Sequence, residues 1–151
     1  MKEEKIVTLL VEDDEAHAML TMRALGEEGV SNEIHWVTDG EEALEYLFQT
    51  GSYADKTKSP RPDLVILDLR LPKLDGHEVL SAIKQSEELK VIPVVVLTTS
   101  ENDEDMAKAY SNYANSYLVK PLGFGEFSEM IRELRSYWLT WNIHPHKRRQ
   151  A

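Results

Sequence analysis

The sequence predicts an α/β fold, a doubly wound parallel sheet of five strands and five helices, on three observations. Short apolar runs alternate with stretches whose apolar residues recur at helical spacing, and the alternation occurs five times. The run Leu64-Val65-Ile66-Leu67 is apolar throughout, as expected of a central parallel strand covered on both faces. Three runs also stop abruptly on charge: Leu9-Leu10-Val11 on Glu12-Asp13-Asp14, Leu64 to Leu67 on Asp68, and Tyr117-Leu118-Val119 on Lys120. In a parallel sheet those charged ends share one edge, where open α/β sheets hold their ligands.

Lys5 to Val11 is the first strand, and Ala16, Leu20 and Ala24 then fall on one face of a helix closed by Gly26 and Gly29. Glu33 to Val37 is a short second strand. Thr38-Asp39-Gly40 offers capping side chains ahead of Glu41 and Glu42, and Ala43, Leu44, Leu47 and Phe48 form the inner face of the second helix. Gln49 to Pro62 is polar and carries Gly51, Pro60 and Pro62, so a long surface loop is expected there. Asp63 to Asp68 is the third strand and Glu78 to Gln85 its helix. Ile92-Pro93-Val94-Val95-Val96-Leu97 is a fourth strand with proline at its start, and Asn102-Asp103-Glu104-Asp105 opens a polar fourth helix. Asn115 to Val119 is the fifth strand. Phe127, Ile131, Leu134 and Trp138 then recur at i, i+4, i+7 and i+11, one stripe of a fifth helix.

A length of 151 residues suits one domain with a full core. The balance of 17 Lys and Arg against 27 Asp and Glu gives −10, which argues against nucleic acid or an anionic membrane as the main partner. The basic run Lys147-Arg148-Arg149 stands at the extreme end. With no cysteine there is no disulfide or thiol chemistry, and no apolar run approaches the roughly 18 residues of a membrane span. The expectation is a cytoplasmic globular domain.

Clustered carboxylates repel one another unless something positive joins them, and a hard divalent cation such as Mg²⁺ suits oxygen ligands. Glu12-Asp13-Asp14 alone reads equally well as acids complementing a helix start. Asp68 and Lys120 at matching strand ends favour a pocket instead. With the cation and Lys120 screening the cluster, a carboxylate oxygen can attack a phosphoryl group whose charge the same cations stabilise, and Asp68 is the candidate nucleophile.

The ordered set LLVEDD, LVILDLRLPKLDG, VVVLTTS and SYLVKPL resembles the receiver domain of two-component response regulators over residues 5–138. The resemblance implies a flavodoxin-like sheet in the order 2-1-3-4-5. It implies that Asp68 takes a phosphoryl group from a sensor histidine kinase or phosphotransfer protein, with Mg²⁺ held by Asp13, Asp68 and the backbone carbonyl of Arg70, and Glu12 acting through a metal-bound water. Lys120, followed by Pro121 across a bond that is often cis in the family, approaches the phosphoryl oxygens. Thr98 carries the hydroxyl that bonds the phosphoryl group, and Tyr117 the ring that swings inward when that bond forms. Leu71-Pro72 and Asp75-Gly76 fit the turn after the phosphorylated strand, where Gly76 relieves a strained backbone. Arg70 and Ser100 resemble the family's modulators of dephosphorylation; Arg70 is expected to lie over the phosphoryl group and obstruct the attacking water. Self-phosphorylation and slow self-hydrolysis are the only chemistry implied, so the protein is not expected to be an enzyme.

The five histidines form no ligand set: His17, His35 and His77 are scattered, and His144 and His146 stand in a tail. They are expected to be ordinary helix-face or surface residues. Gly123-Phe124-Gly125 lacks the spacing and the Lys-Ser/Thr ending of a phosphate-cradling loop. The segment Tyr137 to Pro145 holds two of the three tryptophans and is too aromatic for an idle tail, so residues 139–151 are expected to form an interface arm after a receiver domain at 1–138, rather than fold back over their own core. Together with the long loop before the third strand, this segment resembles single-domain regulators that partner bacteriophytochromes and cyanobacterial phytochromes. The expectation is a homodimer through the fourth helix, fifth strand and fifth helix, with Phe127, Ile131, Leu134 and Trp138 inside the interface and Trp141 to Ile143 reaching across.

Three rivals share parts of this pattern. A phosphatase of the haloacid dehalogenase type needs a second acid two residues after its nucleophile, and Arg70 stands there. A non-phosphorylated interaction module would not need Glu12, Asp13, Asp68, Thr98 and Lys120 together. A flavin-binding protein would place a phosphate loop after the first strand, and the acidic cluster stands there instead.

Overall fold

The structure, a computed structural model, describes residues 5–27 and 32–145. Five parallel strands lie in the order β2-β1-β3-β4-β5, with β1 at Ile6–Val11, β2 at Asn32–Val37, β3 at Leu64–Leu67, β4 at Val94–Thr98 and β5 at Ser116–Val119. Five α-helices alternate with them: α1 Glu15–Leu25, α2 Gly40–Phe48, α3 Gly76–Gln85, α4 Asp103–Ser111 and α5 Phe124–Arg135. The predicted fold class and strand order are borne out, with element ends moved by one to three residues.

Alternation along the strands divides the core between the two faces of the sheet. Leu9, Val11, Val65, Leu67, Val94 and Val96 pack with α2 and α3 on one face. Leu10, Leu64, Ile66, Val95 and Leu97 pack with α1 and α5 on the other. Each of the first four helices begins on a side-chain cap: Asp14 accepts from His17 N, Asp39 from Glu42 N, Asp75 from Glu78 N and Asn102 from Glu104 N. The α3 helix therefore starts at Gly76, two residues before the apolar pattern indicated.

Several expectations are corrected. Ala16 is exposed, and α1 buries Ala18, Thr21, Ala24 and Leu25. Phe48 is 47% exposed, whereas Tyr46 is buried and donates its hydroxyl to the Pro60 carbonyl at 2.8 Å. The predicted long loop contains a 3-10 turn at Gly51–Tyr53 and a buried Ser59, whose hydroxyl donates to the Tyr53 carbonyl at 2.9 Å. Gly76 needs no positive φ; a Cβ there would lie 2.3 Å from the Asp68 carbonyl oxygen and 2.5 Å from Leu69 Cα, so its role is close approach. The left-handed residue of that turn is Lys73, at φ 66°. No cis peptide bond occurs among the described residues, so the Lys120–Pro121 bond is trans.

The end of the chain also differs from expectation. The α5 helix runs into a π-helical turn at Ser136–Trp141, after which the backbone extends. Phe127, Ile131 and Leu134 are buried in the chain's own core against α1 and the sheet, which corrects their placement in a dimer interface. Leu139 and His144 fold back as well, while Trp141 and Ile143 stay exposed. The two ring nitrogens of His144 face the carbonyl of Asp63 at 3.0 Å and that of Trp138 at 2.7 Å. Gly29, His146 and the basic run at 147–149 lie outside the described residues.

Candidate functional site

Strand register builds the site. Val11 pairs with Leu67 and Thr98 with Val119, so the residues that follow, Glu12, Asp68 and Lys120, converge on the carboxyl edge of the sheet. Strand order reverses between β1 and β3, the switch point where α/β crevices open. A pocket of about 220 Å³ lies there, lined by Glu12, Asp13, Asp14, His17, Asp68, Arg70, Thr99 and Lys120.

The Lys120 ammonium is buried and spends its three donors inside the pocket. It reaches Glu12 Oε1 at 2.5 Å, Asp68 Oδ2 at 3.1 Å and His17 Nδ1 at 3.0 Å. Donation to His17 Nδ1 requires a ring with its proton on Nε2. The other oxygen of Asp68 accepts from the Arg70 backbone N–H at 3.2 Å, so this carboxylate is held at both ends. Glu12 Oε2 accepts from Asp14 N at 3.1 Å, and the Glu12 carbonyl accepts from the Trp36 indole at 2.7 Å. Burial pushes the Glu12 carboxyl up to about 7, with the negative charge of Asp68 adding to the rise and the Lys120 hydrogen bond opposing it.

Carboxylate oxygens of Glu12, Asp13 and Asp68 come within 4.8 Å of one another. The donor set is all oxygen, it is acidic beyond what one ammonium neutralises, and Asp13 is exposed at its mouth. Those properties fit a hard divalent cation. Asp14, the third acid of the run, is exposed and caps α1 instead.

Thr98 is fully buried at the end of β4, with its Oγ1 accepting from Ser100 N at 3.4 Å, and Thr99 is the residue that lines the pocket. Tyr117 lies half-buried against the core near Tyr110 and donates its hydroxyl to the Ser100 carbonyl at 3.0 Å. Arg70 and Ser100 both turn to one carboxylate, Asp105 of α4, at 2.5 and 2.6 Å. The buried His77 of α3 completes that group, with its Nε2 3.1 Å from Asp105 Oδ1.

Sequence reasoning missed His17, His77 and Asp105, and it classed the two histidines as ordinary. His17 also stacks on Phe127, with ring centroids 5.5 Å apart. The available signal was position, since His17 follows the acidic cluster by one helical turn from its cap. Trp138 is half-buried and Trp141 76% exposed, both far along the chain from this pocket.

A doubly wound sheet with an acidic, lysine-bridged pocket at its switch point defines the receiver class of signalling proteins. The chain belongs to the response regulator receiver domain family, whose sequence profile matches residues 8–132. It is similar to the probable methanogenesis regulatory protein FilR2 of Methanothrix harundinacea, with 52% identity over 143 residues that cover 95% of this chain and 90% of that protein. Response regulator Rcp1 of Synechocystis is 44% identical over 133 residues, 88% of each chain. The crystal structure of Mn²⁺-bound Rcp1 has a TM-score of 0.88 at 42% identity, covering 93% of this chain and 99% of that one. The phosphorylated cyanobacterial phytochrome response regulator RcpA has a TM-score of 0.90 at 40% identity, covering 94% of this chain and 99% of its own. No helix among the described residues is long and apolar enough to cross a membrane.

Proposed function

We propose that the protein is a cytoplasmic phosphoacceptor of a two-component relay, taking a phosphoryl group on Asp68 from a sensor histidine kinase. The observation that carries this is the Asp68 carboxylate fixed at one oxygen by Lys120 and at the other by the Arg70 N–H, beside two further acids. Glu12, Asp13, Asp68 and the Arg70 carbonyl would hold Mg²⁺, which when bound supplies positive charge against the phosphoryl oxygens.

The chain's own residues do the rest. Asp68 presents an oriented oxygen to the phosphorus in line with the leaving imidazole; the O–P bond forms as the P–N bond breaks, and the electron pair leaves with the imidazole. Lys120 turns from Asp68 toward a phosphoryl oxygen. Thr98 moves its hydroxyl to another, and Tyr117 follows, so that a local charge event repacks β4, α4 and β5. Output then runs through protein contacts made by that face.

Intact mass after incubation with acetyl phosphate tests the proposal. A phosphoryl adduct that requires Mg²⁺ and is absent with a chelator is expected; no adduct with either this donor or a phosphorylated histidine kinase overturns it. The likeness to RcpA supports a phytochrome kinase as the donor, and the higher identity to FilR2 favours a kinase of another pathway. Transfer rates from purified kinases of the two kinds separate them.

The same proposal includes a homodimer through α4, β5 and α5. The edge strand β5 is only half-buried, and beside it Leu118, Met130, Tyr137 and Trp138 line an apolar groove of about 250 Å³. Phe127, Ile131 and Leu134 support this face from within, and Trp141 stands free beyond it. Sedimentation is expected to show a dimer at micromolar concentration; a monomer with and without a phosphate analogue would contradict it.

A further inference from the structure

Arg70 leaves the acceptor site through its side chain while staying in it through its backbone. Its N–H bonds Asp68, but its guanidinium lies on Asp105 at 2.5 Å, in the first turn of α4. Asp105 is not held by Arg70 alone: Ser100 donates to the same oxygen at 2.6 Å, and His77 Nε2 faces the other at 3.1 Å. Ser100 in turn offers its carbonyl to Tyr117. One carboxylate thus joins the turn after β3, the helix α3, the loop after β4 and the start of α4. The Ser100 and His77 hydrogen bonds, with the Arg70 charge beside them, hold its carboxyl below the usual carboxylate range, so it is charged at neutral pH.

We infer that Asp105 is a positioning residue that competes with the phosphoryl group for Arg70 and thereby sets the lifetime of the phosphorylated form. This rests on the proposed phosphorylation of Asp68. A guanidinium pairs with carboxylate and phosphoryl oxygens by the same fork of donors, and a phosphoryl group brings roughly twice the charge of a carboxylate. Arg70 is exposed and free to turn, and on leaving Asp105 it does not strand that carboxylate, which keeps Ser100 and His77. While Asp105 holds the guanidinium, the phosphoryl group is open to water. When Arg70 swings across, it covers the phosphoryl oxygens and unties the first turn of α4 from the pocket. Chemistry at Asp68 and the mobility of α4 are then two readouts of one arginine.

The test is a double-mutant cycle on phosphoform decay, followed by intact mass after removal of acetyl phosphate. Asp105→Asn keeps the size and one acceptor oxygen for Ser100 or His77, and removes the charge. It is expected to slow decay about threefold, the scale of one exposed ion pair. Arg70→Ala is expected to speed decay, and adding Asp105→Asn to Arg70→Ala to change nothing further. A structural role for Asp105 would alter decay equally in both backgrounds. Wild-type decay in Asp105→Asn, or the same factor with and without Arg70, overturns the inference. No adduct on the wild-type chain removes the proposed function and this inference together; an adduct with an uncoupled cycle removes this inference alone.

Discussion

Asp68→Asn is expected to remain folded and to carry no phosphoryl adduct under conditions that modify the wild type fully. The amide has neither the charge nor the nucleophilic oxygen of the carboxylate, yet it is the same size and can still accept from the Arg70 N–H. Stability should not fall. Asp68 is one of the charges that raise the Glu12 carboxyl, so its removal relieves repulsion in the metal-free pocket while Lys120 keeps Glu12 as its partner. A thermal melt alongside the mass measurement separates lost chemistry from lost structure. An adduct persisting at wild-type stoichiometry would mean that another side chain is the acceptor.

The second large effect is expected at Lys120. Lys120→Met keeps the apolar stem and most of the volume but leaves Glu12 and Asp68 facing one another without their shared cation. Breaking a buried pair by removing one partner costs about 3–5 kcal/mol, which for a chain of this size lowers Tm by about 6–20 °C. The pH dependence has a definite sign. Because the folded-state Glu12 carboxyl already sits near 7 against an ordinary 4.5, protonation favours the folded form, and that contribution is lost as pH rises through 7. The variant's deficit should therefore be largest above pH 7 and shrink toward pH 5, where Glu12 can be neutral. Phosphorylation should fall about 100-fold, the usual scale for removing one charge-stabilising donor. A melting point equal to wild type at pH 8 would show that the ammonium does not hold the acids together.

The strands and the acid–lysine constellation were legible because each depends on a local rule. An apolar run ending on charge marks where a strand leaves the sheet, and parallel order brings such ends together, so Glu12, Asp68 and Lys120 could be placed before any contact was known. The network around Asp105 had no such signal, since beyond the nearby Ser100 its partners His77 and Arg70 are 28 and 35 residues away and each residue is ordinary in its own segment. His17 is a plain helix residue until Lys120 arrives from 103 positions along the chain. Helix phase explains the smaller errors: Phe48 and Tyr46 are both aromatic, and only the packing of α2 on the sheet decides which is buried. The stripe of α5 was identified correctly, but an apolar stripe cannot say whether it faces its own sheet or a second copy, and here Phe127, Ile131 and Leu134 face their own.

The indole of Trp36 gives the protein a built-in optical reporter. Its N–H is bonded to the carbonyl of Glu12, one bond removed from the acidic pocket, so charge entering that pocket changes the electric field on the ring. Trp138 and Trp141 lie toward the opposite edge of the sheet: the Trp138 carbonyl is tied through His144 to Asp63, five residues and roughly 16 Å of extended strand before Asp68. Emission from this chain accordingly splits into a component that senses charge at the acidic pocket and a component that senses the tail. Removing Trp36 silences the first, and removing the other two isolates it, without attaching any dye.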